Sequence, residues 1–392
     1  MSKRKKILFI TRWYPDRHDP MLGLFVQKHA QAVRLFNDVT VLYVTTDRAL
    51  LPGKVIKEEK NFEGIKEFRI YFGKNKLELS NAVAYAKYYL QGLNWIEKSD
   101  GLPDISHVHI LSRTAFPALW LKITKGIPYL ITEHWSRYLP INIAKGAYRG
   151  WLRKWFTGIA VARAGTVTTV TQNLASAMQD LGLKNNYVVT PNVVNTEDFT
   201  PVEKNRNDAI KKLVHVSCFD EPAKNIRGII NAFQKIYPLQ KNVILEIIGD
   251  GKDFSLVQDH AEQSGLLNSA IYFTGLLTGE PLITKMREAT AFVMFSNYEN
   301  LPCTIVESFS CGVPVISTDV GGIKEHLTEK FGILIPPRDE NALADAMTSL
   351  LLEQAKFDRP GMRDYANRQF SLQSIGRLFN DIYQRLISSN YK

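Results

Sequence analysis

The chain alternates short β-branched and aliphatic runs with longer stretches in which apolar residues recur every three or four positions. Short continuous apolar runs mark strands buried on both faces, and the amphipathic stretches between them mark helices that cover such a sheet. In the first half this pattern predicts strands at 7–11, 39–44, 65–70, 106–110, 129–132, 166–170 and 187–190, with helices at 23–35, 81–98 and 146–164. After Pro201 a polar stretch runs to Lys212, and the alternation then restarts, with strands expected at 214–217, 243–248, 270–273, 291–295, 314–317 and 332–335. Two series of βα units on either side of a polar linker predict an α/β chain of two doubly wound, parallel-sheet (Rossmann-like) domains, residues 1–200 and 201–370, facing across a cleft. Ligands of open parallel sheets sit beyond the carboxyl ends of the strands, so the loops that follow strands are where chemistry is expected.

At 392 residues the chain is long enough for two substantial cores. Three cysteines, Cys218, Cys303 and Cys311, are too few and too unevenly placed for a disulfide framework, so a reducing cytoplasm is the expected home. The basic start Lys3, Arg4, Lys5, Lys6 is followed by an apolar run that stops at Thr11, too short for a signal peptide, and no apolar stretch is long enough to span a membrane.

Charge is unevenly divided. The first 200 residues carry 28 basic and 16 acidic side chains, the remainder 21 and 23, so the surplus of +12 lies wholly in the first half against −2 in the second. A helix expected around Tyr148, Trp151, Leu152, Trp155 and Ile159 puts these on one stripe, flanked by Lys145, Arg149, Arg153 and Lys154. Tryptophan among basic residues suits the edge of an anionic membrane; the competing reading is a core-facing stripe with a solvated basic back. Nucleic acid is not expected as a partner, because no nucleic-acid-binding motif accompanies the charge.

The most informative segment runs from Phe295 to Pro314. Glu299 falls in a polar loop after a strand, Pro302 suits the first turn of a helix, and Glu307 lies inside that helix. The open N–H groups around Leu301, Pro302, Cys303 and Thr304 (the proline lacking its own) would form an anion site at the helix start, with a carboxylate on either side for hydroxyls. In the first half, His109 and His134 each follow a strand, His134 next to Glu133. The two could ligate a metal, but no third or fourth ligand stands at a usual spacing, and buried structural histidines are the main rival.

With Glu299, Glu307 and the Cys311-Gly312-Val313-Pro314 turn, the chain resembles retaining glycosyltransferases of family 4 (glycosyl transferases group 1), which have the GT-B fold. The resemblance extends to Gly321-Gly322, Ile248-Gly249, Pro191-Asn192 with Phe199, and the early Gly23. It implies that the second domain binds a nucleotide-diphosphate sugar, UDP- or GDP-linked. Glu307 would hold the ribose hydroxyls and Glu299 the donor sugar. Ser217, Cys218, Gly249 and Gly275 would line the donor, with Gly23 reaching its phosphate or the acceptor. Lys224 would balance the diphosphate, and Cys218 stands where the family has a second cation. His134 would lie near the donor sugar, with His109 and Glu133 on the acceptor side. No metal and no cofactor is expected, and the final stretch 371–392 would cross back to the first domain.

The expected function is a retaining transferase moving a hexose-type sugar to a glycan or lipid-linked acceptor in cell-surface polysaccharide or lipopolysaccharide synthesis. The expected location is cytoplasmic and peripheral on the inner face of the cell membrane. A GT-B nucleotide-sugar epimerase and a non-catalytic sugar-nucleotide-binding scaffold are the alternatives.

Overall fold

The structure is a computed structural model that describes residues 4–202, 210–352 and 356–390. Lys3 and residues 203–209 of the expected linker lie outside the described residues. The chain divides into two compact units, Met1–Val193 with Leu372–Lys392, and Val194–Ser371.

The first unit is built on an eight-stranded sheet of β1 (Lys6–Thr11), β2 (Asp38–Pro52), β3 (Val55–Phe62), β4 (Ile65–Gly73), β5 (Ile105–His109), β6 (Tyr129–Glu133), β7 (Val167–Thr169) and β8 (Tyr187–Val189). Their order is β3-β4-β2-β1-β5-β6-β7-β8, and every neighbouring pair is parallel except β3 and β4. Strand β3 was not expected. It is an edge strand carrying Lys57, Glu58, Glu59 and Lys60, so it shows none of the apolar run that marks a buried strand.

Against this sheet pack Val26, Ala30 and Val33 of the Leu24–Arg34 helix, and Ile375, Phe379, Ile382, Tyr383 and Ile387 of the C-terminal helix Leu372–Asn390. That helical spacing makes a continuous apolar stripe, and each of its Val, Ile and Phe side chains contributes roughly 1.5–3 kcal/mol when fully buried. The C-terminal helix is thus core material of the first unit.

The second unit holds a six-stranded, all-parallel sheet of β9 (Lys211–Val216), β10 (Val243–Ile248), β11 (Ile271–Gly275), β12 (Ala291–Met294), β13 (Val315–Thr318) and β14 (Gly332–Ile335), ordered β11-β10-β9-β12-β13-β14. The segment from Val194 to Thr200 belongs to this unit, earlier than the boundary expected after residue 200. Backbone bonding ties it there: Val194 N–H donates to Phe370 O (3.0 Å), while Ser310 Oγ and Arg363 Nη1 donate to Phe199 O at 2.6 and 2.8 Å.

The helix expected at 146–164 begins only at Trp151. Gly146 (φ 83°) and Gly150 (φ 93°) take left-handed backbone that breaks a helix, and Tyr148 between them is buried against Tyr138 with ring centroids 5.2 Å apart.

Candidate functional site

In the second unit the loops after β9, β10, β11 and β12 are knitted together by their own backbones. Ser217 N–H donates to Ile248 O (3.1 Å), Phe219 N–H to Asp250 O (2.9 Å), Gly249 N–H to Gly275 O (2.9 Å) and Asn297 N–H to Ala223 O (2.7 Å). Ser217, Gly249 and Gly275 therefore meet at one end of the sheet. Gly249 has φ 139°, and a Cβ there would lie 1.9 Å from the Ser217 carbonyl oxygen, so only glycine lets these loops close. His215, wholly buried, hydrogen-bonds Val293 O through Nδ1 (2.8 Å) and Ser217 Oγ through Nε2 (2.7 Å). A carbonyl only accepts, so the proton sits on Nδ1 and Nε2 receives the Ser217 hydroxyl; burial pushes this imidazole down to about 4.

Lys224 Nζ pairs with Glu299 Oε1, which also accepts from Ser296 Oγ at 2.8 Å. Burial by itself would lower the lysine. The Glu299 carboxylate, with Cys218 and Asp220 beyond it, holds its ammonium above the ordinary value. The Glu299 loop is in turn backed by Gly321, φ 61°, where a Cβ would stand 2.2 Å from Glu299 O, and Gly322 N–H donates to Asn300 O (3.0 Å). Pro302, φ −65°, precedes the helix Cys303–Ser310, whose ladder starts at Ile305 N–H to Pro302 O (3.3 Å). The N–H groups before it, at Cys303 and Thr304, lie outside that ladder. Glu307 is buried in the second turn, with Leu301 buried ahead of the helix.

In the first unit His109 and His134 meet, Nδ1 to Nε2, at 3.2 Å, and His134 Nδ1 reaches Asn192 Oδ1 at 3.2 Å. A third imidazole, His29 of the Leu24–Arg34 helix, joins them, with ring centroids 5.1 Å from His134 and 5.7 Å from His109. Sequence spacing could not reveal it, because a helix supplies it from far along the chain. One nitrogen from each of the three lies within 4.8 Å of the others, the ligand set that spacing failed to show. The His109–His134 hydrogen bond engages one of the lone pairs such a set would need. His29 Nε2 bonds Pro191 O (3.0 Å), and its Nδ1 and His109 Nε2 are buried without a hydrogen-bond partner. Burial lowers all three imidazoles, His29 to about 4.

Two family models cover this architecture in succession: residues 30–198 match Glycosyltransferase Family 4, and residues 197–368 match Glycosyl transferases group 1. The chain belongs to the family 4 glycosyltransferases. It is 25% identical to the putative teichuronic acid biosynthesis glycosyltransferase TuaC of Bacillus subtilis, over 89% of this chain and 90% of that one. It is 27% identical to the phosphatidyl-myo-inositol mannosyltransferase of Mycobacterium leprae, over 75% and 76%. Among solved structures, sucrose-phosphate synthase from Thermosynechococcus elongatus overlays with a TM-score of 0.79 at 19% identity, covering 98% of this chain and all of that one. HepE of Anabaena in complex with UDP-glucose overlays at 0.72 and 16% identity, covering 98% and 100%. Each unit of this family 4 enzyme is a Rossmann-like domain of the GT-B fold.

One expectation for this glycosyltransferase needs correction. Glu133, expected on the acceptor side, is fully buried and turned onto backbone: Oε2 accepts from Leu111 N–H (2.9 Å), Oε1 from His134 (2.9 Å) and Trp135 (2.8 Å). It clamps the loops after β5 and β6, and burial lifts its carboxyl to about 7 against the pull of these donors. Gly23, expected to let a ligand approach, has φ 68°, and a Cβ there would lie 2.3 Å from the Trp13 carbonyl, so this turn requires glycine. The Trp151–Arg163 helix turns Ala160 and Val161 to the core but leaves the apolar residues of its first turns outside. Trp151, Leu152 and Trp155 are 74%, 58% and 61% exposed, among exposed Lys145, Arg149, Arg153 and Lys154, and the adjoining Ala115–Lys125 helix adds exposed Trp120 and Ile123. Among the described residues no helix is long and apolar enough to cross a membrane.

Sequence reasoning also passed over Lys252. Its Nζ lies 3.1 Å from Asp220 Oδ1, and Lys224, Glu299, Asp220 and Lys252 all act on the Tyr298 hydroxyl. Exposed Cys218 carries no fixed charge, so Lys252 is a second cation near the same loops.

Proposed function

We propose that this family 4 enzyme transfers a hexose-type sugar, with retention, from a UDP- or GDP-sugar to a glycan or lipid-linked acceptor in cell-surface polysaccharide synthesis. The observation that carries the donor half is the Lys224–Glu299 pair, set among backbone-knitted loops at the carboxyl ends of parallel strands and beside a helix start. Lys224, aided by Lys252 and the N–H groups of Cys303 and Thr304, balances the charge that grows on the diphosphate as it leaves. Glu299 and buried Glu307 accept hydroxyls of the sugar and ribose. The bond from the anomeric carbon to the diphosphate oxygen breaks, the bond to the acceptor oxygen forms on the same face, and the acceptor proton passes to the departing diphosphate.

The acceptor half draws on the relatives, whose names specify teichuronic acid biosynthesis and phosphatidyl-myo-inositol. The exposed tryptophans in their basic surround fit the same reading, an enzyme held against the anionic inner face of the cell membrane. The test is a panel of UDP- and GDP-sugars, read by calorimetry on wild type and on Lys224→Met/Glu299→Gln. Removing only the lysine strands a nearly buried carboxylate and costs about 3 kcal/mol of stability, whereas the double variant restores stability without restoring turnover. If no nucleotide sugar binds wild type, or if the double variant turns over normally, the reading fails.

A further inference from the structure

The loops after β1, β5 and β6, three consecutive strands of the first sheet, each carry one arginine: Arg12, Arg113 and Arg137. Arg12 and Arg137 both stand over the Trp135 ring, with Cζ 5.0 and 4.5 Å from its centroid, and Arg113 stands 3.6 Å over Tyr85. Arg137 is buried and the other two are half-buried. Nε of Arg113 and Nε of Arg137 are buried with no hydrogen-bond partner.

Among the described residues, no carboxylate oxygen lies within the 4.0 Å of an ion pair from any of the three. Arg17, five residues beyond Arg12, shows the contrast: it is paired to both Asp47 and Glu58. The acid nearest in chain to Arg137 is Glu133, whose oxygens accept from three backbone N–H groups and which feels the Arg137 charge only from beyond ion-pair distance. Burial, and then the charges of Arg113 and Arg137, lower the Arg12 guanidinium. Like charges gathered partly out of water carry a free-energy cost that a bound anion removes. Arg113 lines a cavity of about 350 Å³ together with Tyr85, Tyr89, Phe116 and one carboxylate, Glu78.

We propose that Arg12, Arg113 and Arg137 form a binding site for a phosphate or diphosphate ester, the anionic group of the sugar acceptor. The word acceptor rests on the transferase reading above; the anion site itself rests on the arginines alone. Guanidinium forks match phosphate oxygens two at a time, and a diphosphate balances three such charges far better than one carboxylate does. Trp135, Tyr85 and Phe116 offer flat apolar surface for whatever the phosphate is esterified to, an isoprenoid chain or a sugar ring.

Calorimetry on the full chain tests this with three probes: inorganic pyrophosphate, farnesyl diphosphate and glucose 1-phosphate. Arg12→Gln and Arg113→Gln are expected to weaken pyrophosphate roughly ten- to a hundred-fold, while the same change at an exposed lysine of the first unit, Lys98→Gln, leaves this binding intact. Should a glutamine variant lose its wild-type circular dichroism, Arg113→Lys carries the test, because it keeps the charge, loses the fork and is expected to bind more weakly than wild type. Tighter farnesyl diphosphate identifies a lipid-borne ester and tighter glucose 1-phosphate a soluble one; either supports the site. Absence of pyrophosphate binding, or binding lost only in Lys224→Gln, overturns it. UDP and GDP titrated in parallel separate the two readings: nucleotide binding without pyrophosphate binding sinks this site alone, and the reverse sinks the donor assignment alone.

Discussion

Mild acid is predicted to destabilise the first unit through its buried imidazoles. His29 is held at about 4 against an ordinary 6.5, chiefly by burial, and His107, His109 and His134 are held well below 6.5 for the same reason. Each is neutral in the folded chain and takes up a proton near 6.5 once unfolded. Their contribution is therefore fully present above about pH 6.5 and is lost as pH falls toward 4, at about 1.4 kcal/mol per pH unit for each group, or roughly 3 kcal/mol for His29 over its window.

Glu133 works in the opposite sense. Its folded carboxyl at about 7, raised from 4.5 by burial, gains stability as pH falls from 7 to 4.5, again by roughly 3 kcal/mol. One acid offsets about one imidazole, so the four histidines decide the sign, and the net loss is large against a typical stability of about 5–15 kcal/mol. The assay is direct, because all 6 tryptophans, Trp13, Trp95, Trp120, Trp135, Trp151 and Trp155, lie in the first unit and their emission reports it alone. Urea titrations at about pH 7.5 and about pH 5 should show a lower fluorescence midpoint in acid. An equal or higher midpoint at the lower pH would refute the neutral-imidazole account.

Gly321→Ala forces a Cβ against Glu299 O in left-handed backbone; it should cost about 1–3 kcal/mol and weaken nucleotide-sugar binding more than a cavity-free surface change of equal stability cost, as thermal melts beside calorimetry will show. Trp151→Ser with Trp155→Ser should leave the melting temperature within a few degrees and reduce co-sedimentation with anionic phospholipid vesicles several-fold, and rising salt should weaken the wild-type association. Equal sedimentation of variant and wild type would remove the membrane from the account.

Those parts of the fold that bury both faces were legible as apolar runs: β1, β6 and β10 announce themselves that way. Strand β3 was hidden because an edge strand of Lys and Glu obeys solvent rather than core. The loops after β10 and β13 were legible as loops because glycine there answers to local backbone demands, as Gly249 and Gly321 show. The histidine cluster and the three arginines were not legible, because each member is ordinary in its own stretch and acquires meaning only when separate elements deliver it to one place. Glu133 was misread for the same reason: a carboxylate beside a histidine looks like chemistry until its three N–H donors are seen.

The C-terminal helix gives the order of synthesis a role. Its Tyr383 hydroxyl holds His107 Nδ1 at 2.7 Å, and its apolar stripe completes the core begun by the Leu24–Arg34 helix. While the ribosome is still making the second unit, the nascent first unit has an uncovered face and an unanchored imidazole. It must wait through the whole of the second unit for its last helix, so holdase chaperones have a long interval in which to act, and a premature stop near the end would damage the half of the protein that was translated first.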